Sequence, residues 1–305
     1  MLSILIPVYN HNCVRLVKDL HSQGMMLNIP FEIIVLDDIS SLFLEENDAI
    51  NELENARFIG AKEHLGRAKI RNELSKMATY ENLLFIDSDA QVDHFDFLKN
   101  YLQHLSKADV LVGGMKYALT PPMNNVLRWY YGSKREDLPE KIRNQYPYRS
   151  IISFNILIKK HVFSNYPFDE TNIEVTSSYG HEDTLLGLTY KRHAVSILHI
   201  DNQLIHDYKE TNEGFLRNSL IAVEKYVRFQ KFREKEVVSQ IKIFKIFELS
   251  KKMGLLRVFD FLYKRNKEKM RANLLSQHPS LKTFDFYRLY YLAHFYLNNT
   301  DLLEK

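Results

Sequence analysis

Short apolar runs and amphipathic stretches alternate from the first residues to Val112. The runs Leu2–Pro7, Phe31–Leu36, Arg57–Ile59, Asn82–Ile86 and Val110–Val112 read as strands, and four of the five are almost wholly apolar. A continuous apolar run, as opposed to an alternating one, predicts a strand buried on both faces, as in a mainly parallel sheet covered by helices. Between these runs, apolar residues return at three- and four-residue spacing over Val14–Gln23, Glu45–Glu54, Arg67–Ala78 and Phe97–Ser106, which predicts helices. Alternating strands and helices predict a doubly wound α/β domain with its binding crevice beyond the carboxyl ends of the strands. Polar residues fall there: Tyr9 and Asn10 after the first strand, Asp37 and Asp38 after the second, Asp87 and Asp89 after another. Residues 115–180, rich in Tyr, Pro and Asn, read as loops around one strand, Ile151–Ile158. From Gly214 onwards the pattern is helical, so a first domain is expected over 1–214 and a helical region over 215–305.

Charge sharpens that division. The 305-residue chain carries a net +3, but residues 215–305 hold 19 Lys/Arg against 9 Asp/Glu, leaving 22 against 29 before them. An acidic front suits a cation and a basic tail suits an anionic partner. With 45% apolar residues the chain can bury a core. Cys13 is the single cysteine, so no internal disulfide framework exists and a reducing, cytoplasmic compartment is expected. No basic leader precedes Leu2–Val8 and no apolar run reaches about 18 residues, so neither a signal peptide nor a spanning helix is expected.

The candidate chemistry lies in five segments. Asp87-Ser88-Asp89 follows the apolar strand Leu83-Leu84-Phe85-Ile86, where two carboxylates can face a divalent cation and the phosphates it binds; a solvated turn is the plain alternative. Asp37-Asp38 can accept hydrogen bonds from a ribose or a base, or can simply cap a helix. Gly66–Asn72 opens a helix with three cations, including Arg71, which suits phosphate oxygens or a solvated basic face. Glu182-Asp183, after His181, stands before an apolar helical run and can take a proton from a hydroxyl or serve as first-turn acids. His206 can complete a mixed oxygen and nitrogen site for Mn²⁺ or Mg²⁺, or play a structural part.

In this order the segments resemble family 2 glycosyltransferases, inverting enzymes of the GT-A fold. The resemblance rests on Ser3-Ile4-Leu5-Ile6-Pro7-Val8-Tyr9-Asn10, Glu32–Asp38, Gly66–Asn72, Leu84–Asp89 and Gly180-His181-Glu182-Asp183, and covers about residues 1–215. Leu127–Gly132, Phe154-Asn155 and His199–His206 are similar to a subgroup common in Bacteroidetes-type bacteria. The resemblance implies transfer of a sugar from a nucleotide diphosphate, UDP first, to a glycan or lipid-linked acceptor in cell-surface glycan synthesis. It implies that Pro7, Tyr9, Asp37 and Asp38 hold base and ribose, that Arg71 lies near the phosphates, and that Asp87 and Ser88 line the nucleotide-sugar pocket. Asp89, His206 and Asp87 would ligate Mn²⁺ or Mg²⁺, with Asp183 as catalytic base supported by Glu182. The family usually has Gly where this chain has Ile39; a β-branched residue resists positive φ, so the loop after Asp38 is expected to run differently.

Competing classes leave weaker traces. Sugar-nucleotide nucleotidyltransferases generally carry a glycine-rich loop after the first strand, where Pro7–Asn12 has no Gly. A non-catalytic nucleotide-sugar-binding module has no need of Glu182-Asp183. No GxGxxG follows the first strand, which argues against a dinucleotide-dependent oxidoreductase, and no nucleic-acid-binding motif is found. In the tail, Ile241, Phe244, Phe247, Leu255, Val258, Phe259 and Leu262 alternate with Lys242, Lys245, Lys251, Lys252 and Arg257. They read as a packed helical pair with solvated cations, or as an amphipathic surface making peripheral contact with anionic lipid at the inner face of the plasma membrane.

Overall fold

In the computed structural model, which describes residues 1–122, 125–170, 181–231 and 235–299, ten strands form among the described residues. They are β1 (Leu2–Val8), β2 (Phe31–Asp37), β3 (Ala56–Gly60), β4 (Asn82–Ile86), β5 (Ala90–Gln91), β6 (Val110–Val112), β7 (Met115–Lys116), β8 (Asn155–Lys159), β9 (Ile197–His199) and β10 (Leu204–His206). Seven make one sheet in the order β3-β2-β1-β4-β8-β6-β9, and β5-β10-β7 make a small second sheet. Every pairing in the large sheet is parallel except the two made by β8. All ten strands lie in the first of two units, built from Met1–Ala118, Glu136–Ser177 and Leu185–Tyr208; the second takes Leu119–Arg135, Ser178–Thr184 and Lys209–Lys305.

The apolar runs form central strands for the expected reason. Ile4, Leu5 and Ile6 of β1 and Leu83 to Ile86 of β4 are fully buried, so successive side chains reach core on both faces of the sheet. One core joins Leu5, Ile34 and Phe85 to Ile70 and Leu74 of the helix Gly66–Met77. Pro7 lies past the end of the β1–β4 ladder, which stops at Leu5 opposite Phe85, so its missing N–H breaks no bond there.

Two expectations need correction. Val126–Arg135, read as loop, is a helix of the second unit. Its Trp-Tyr-Tyr-Gly centre has weak helix propensity, but Leu127 is buried with Phe215, Leu274, Phe284 and Tyr287, and Arg135 makes a two-pronged pair with Asp285 at 2.8 and 2.7 Å. Tertiary packing overrides propensity here. The strand expected over Ile151–Ile158 begins only at Asn155, because the ladder with β4 runs from Ile86 opposite Asn155 to Asn82 opposite Lys159.

A buried polar network joins the end of β6 to the β9–β10 connection. Asn155 donates to Gly114 O and Asn202 O and accepts from Tyr101 OH. The Arg143 guanidinium donates to the carbonyls of Leu138, Val112, Gly113 and Ile200, and to His199 Nδ1 at 3.2 Å. The other ring nitrogen of His199 donates to Pro147 O at 2.9 Å, which leaves the imidazole neutral between these partners. Burial, with the nearby guanidinium, pushes the His199 pKa down to about 4. Between about pH 6.5 and pH 4 the unfolded chain takes up a proton that the folded chain refuses, so stability present above pH 6.5 is lost on acidification. Thermal unfolding should therefore show Tm falling across that window. His199→Gln should be less stable at pH 7.5 but lose less on acidification; an equal pH slope in both proteins would reject the account.

Candidate active site

The loop after β2 brings together the first candidate residues. Asp38 is buried, and its carboxylate accepts the backbone N–H groups of Leu65 (2.5 Å) and Gly66 (2.9 Å). It thereby caps the helix Gly66–Met77 and joins the β2 end to that helix start. His64 Nδ1 lies 3.2 Å from the same carboxylate, and the His64 ring stands 5.6 Å from that of the exposed Tyr9. Asp37 Oδ2 accepts Ser40 N–H at 2.9 Å, while its buried Oδ1 has no hydrogen-bond partner. A buried carboxylate oxygen without a donor is costly unless a ligand or water supplies one.

Ile39 overturns the expectation for this loop: its φ is +60°, the left-handed conformation that a glycine would adopt. Three bonds hold the turn around it. Ser40 N–H goes to Asp37 as above, Asn10 N–H donates to Ser40 Oγ at 2.7 Å, and Asn10 Oδ1 accepts Ser41 N–H at 2.8 Å. The β-branched residue costs about 1–2 kcal/mol in this conformation, which the surrounding hydrogen bonds oppose.

At the end of β4, the chain turns through Asp87-Ser88-Asp89, closed by Ala90 N–H to Asp87 O at 3.0 Å. The Asp87 carboxylate is held by Arg71, whose buried guanidinium also donates to Arg67 O at 2.7 Å and lies over the Phe168 ring. Ser88 is half-buried in the turn. Asp89 Oδ2 lies 3.0 Å from His206 Nε2. Burial would raise the Asp89 pKa, but the charge and hydrogen bond of His206, with His11 and Arg67 farther off, outweigh it and hold the carboxyl well below its usual range.

Strand register explains how residues 117 positions apart meet. β10 pairs antiparallel with β5, His206 opposite Ala90, and Asp207 N–H donates to Asp89 O at 2.8 Å. On its other side β10 pairs parallel with β7, which brings Tyr117 beside the imidazole. Tyr117 OH lies 3.2 Å from His206 Nδ1 and also donates to Glu136. The rings of Phe154, Tyr117 and Tyr208 pack around His206 at 5.0, 5.6 and 5.6 Å. Sequence reasoning missed His64, Tyr117, Glu136 and Tyr208 as site residues, because each acts through a contact that no local spacing encodes.

Glu182 and Asp183 open the helix Glu182–Arg192, and their turn belongs to the second unit. His181, just before them, has φ +77°, bonds through Nε2 to Ala222 O at 3.0 Å, and packs on Phe244. The imidazole so ties the helix start to that unit's core. Gly180, which the resemblance also uses, lies outside the described residues.

The family model described as "Glycosyl transferase family 2" matches residues 3–166. Comparison with curated protein sequences gives no match. Among solved structures, the chain is similar to Staphylococcus aureus (S. aureus) TarS, at 21% identity over 74% of this chain and 39% of that one, with a TM-score of 0.50. It thus spans about two-fifths of that protein's length. It is also similar to S. aureus TarS 1–349 in complex with UDP-GlcNAc (18% identity, 98% and 92% coverage, TM-score 0.51). A third likeness is to mannosyltransferase PcManGT from Pyrobaculum calidifontis in complex with GDP-Man and Mn²⁺ (14% identity, 98% and 87% coverage, TM-score 0.51). At these identities the likeness is one of fold, an α/β GT-A-like sheet with C-terminal helices.

Proposed function

The chain belongs to glycosyl transferase family 2, and from that premise we propose that it is an inverting, metal-assisted enzyme. In this reading it moves a sugar from a nucleotide diphosphate, with UDP the first candidate, to an acceptor hydroxyl in cell-surface glycan synthesis. The acceptor is a glycan or a lipid-linked intermediate, and the protein works in the cytoplasm. The observation that carries the reading is the meeting of Asp89 and His206 at 3.0 Å, in the turn after β4 that also holds Asp87.

The residues fit a divalent cation. One carboxylate oxygen and one imidazole nitrogen lie side by side, both partly open to solvent, and the Asp89 carboxyl is held in its ionised form. Among the described residues no group of three or more His, Cys, Asp and Glu is gathered for a metal. Two protein ligands, with diphosphate oxygens and water completing the shell, is a familiar mode for Mg²⁺ at phosphate sites. Asp89 and His206 would hold Mn²⁺ or Mg²⁺, and Asp87 would border the ribose and the ion. When bound, the cation offsets charge on the departing diphosphate.

The chain's own groups account for the rest of the reaction. Tyr9 and His64 flank the base; the unpartnered Oδ1 of Asp37 accepts a base N–H or a ribose hydroxyl. Pro7 and Asp38 shape the floor of that pocket, and Ser88 with the Arg71–Asp87 pair borders the ribose and phosphates. Asp183, supported by Glu182, takes the proton of the acceptor hydroxyl as its oxygen attacks the anomeric carbon opposite the leaving group. Single displacement then inverts that carbon.

Tyr117, whose hydroxyl donates to Glu136, positions His206 by holding its far nitrogen. Tyr117→Phe should weaken Mn²⁺ binding about tenfold or more, as loss of such an outer partner does in other metal sites. Titration followed by the electron spin resonance of free Mn²⁺ reads this directly, and unchanged affinity would reject the role. The whole reading is tested by a panel of UDP-, GDP- and dTDP-sugars scored for donor hydrolysis with and without Mn²⁺. Metal-dependent release of a nucleoside diphosphate from at least one donor is expected; release from none would overturn it.

A further inference from the structure

Within the second unit, the apolar residues singled out in the basic tail are buried or half-buried except Val258. Phe244 and Phe247 are fully buried, and Phe259 packs on Tyr290 at 5.1 Å, so these belong to the helical core. A different set stays outside: Ile246, Leu249, Met253, Val258 and Phe261 are 41 to 62% exposed. They lie on two consecutive helices, Lys242–Lys252 and Leu256–Leu274, joined at Gly254, whose φ of +73° turns the chain between them.

The exposed positions of these two helices are sorted by charge. On the first helix Lys242, Lys245 and Lys252 share a face with Ile246, Leu249 and Met253, at three- and four-residue spacing. On the second, Arg257, Lys264 and Arg265 flank Val258 and Phe261 in the same way. From 242 to 265 every exposed residue is Lys, Arg, a large apolar residue or Gly254. The two acids in the span are half-buried, and one of them, Asp260, pairs with Lys264 of that face. Glu248 accepts Tyr226 OH, and Asp260 accepts His294 at 2.7 Å and Lys264 at 2.8 Å. Cations alone would suit nucleic acid as well, but five exposed side chains without a hydrogen-bond donor offer phosphate and base edges nothing. Such side chains set among Lys and Arg match the acyl boundary and anionic headgroups of a bilayer. No helix of the described residues is long and apolar enough to cross a membrane, so the contact lies in the interface plane.

We propose that the segment 242–265 docks this protein on an anionic lipid bilayer, with Leu249, Met253 and Phe261 inserted at the headgroup boundary and the cations over lipid phosphates. This goes beyond the transferase reading and does not depend on it. The test is co-sedimentation of the full chain with phosphatidylcholine vesicles, pure or containing about a third phosphatidylglycerol. Two variants accompany it: Leu249→Gln/Met253→Gln/Phe261→Gln, and Lys245→Glu/Lys252→Glu. All five positions are exposed, so both variants should melt close to the parent.

Binding is expected to the anionic vesicles, to weaken as salt rises from about 0.1 to about 0.5 M, and to fall about tenfold or more in each variant. No partition of the parent, equal binding to neutral vesicles, or undiminished binding by either variant would overturn the proposal. A parent that ignores vesicles but shifts duplex or single-stranded DNA would overturn it in favour of a nucleic acid. Self-association in sedimentation that the apolar variant abolishes, without vesicle binding, would overturn it in favour of a second copy.

Discussion

Asp89→Ala is expected to abolish measurable Mn²⁺ binding and to lower kcat/KM for sugar transfer about a thousandfold. The figure corresponds to about 4 kcal/mol of transition-state stabilisation, within the several kcal/mol that a bound metal supplies to a departing oxyanion. Asp89 is the stronger of the two proposed ligands because it brings a full negative charge, whereas a neutral imidazole brings only a lone pair. His206→Ala should therefore cost less, by about tenfold or more, than Asp89→Ala. Removing Asp89 also leaves His206 facing the vacated position while Tyr117 still holds its far nitrogen at 3.2 Å, so the pocket should persist. Calorimetric titration of Mn²⁺ with and without UDP, together with steady-state transfer, measures both effects. If Asp89→Ala keeps metal-dependent turnover near that of the parent, the ion is held elsewhere and the proposed site falls.

The second large effect concerns the proton. Asp183→Asn should bind donor as the parent does yet lose about 10²- to 10⁴-fold in kcat, the range by which a positioned general base accelerates such a step. The amide keeps the size and first-turn placement of the carboxylate at the start of the helix Glu182–Arg192, so the loss is chemical and not one of folding. Glu182→Gln should cost less, because Glu182 supports Asp183 without receiving the proton. Single-turnover transfer, set beside donor binding by titration, separates the steps. A weakened donor affinity with intact turnover would reassign Asp183 to binding, and normal turnover would end its assignment as base.

Much of the first unit is legible in the chain itself. β1, β2, β4 and β6 fall within a residue or so of the expected runs, because side chains buried on both faces of a sheet force continuous apolar sequence; the half-exposed edge strand β3 also falls within a residue of its run. Helix starts were legible too: Gly66–Met77 and Glu182–Arg192 open where the polar punctuation falls. Val126–Arg135 was not, since its helicity comes from burial of Leu127 and the Arg135–Asp285 pair and not from its own aromatic residues. Ile39 illustrates the same limit. Local sterics argue against positive φ, yet hydrogen bonds from Asp37, Asn10 and Ser40 enforce it.

In the candidate site, the chain announces acids at strand ends but not what each acid meets. Asp37 and Asp38 are neighbours of identical chemistry, yet Asp38 caps a helix 27 residues on while Asp37 keeps one oxygen without a donor. That difference arises from which way each side chain leaves the end of β2. Likewise Asp87 is taken by Arg71 and Asp89 by His206, although only one serine separates them.

By itself, then, the amino-acid order determined what short-range physics governs: which runs must be buried, where helices begin, which acids stand at strand ends, and that the tail is basic. Tertiary structure alone decided the pairings that make a site, above all the antiparallel register that sets His206 opposite Ala90 and so beside Asp89. The reason is range. Periodicity and capping act over a few residues, whereas register across 117 positions is settled only when β5, β7 and β10 come together and the network of Asn155, Arg143 and Asn202 locks their connections.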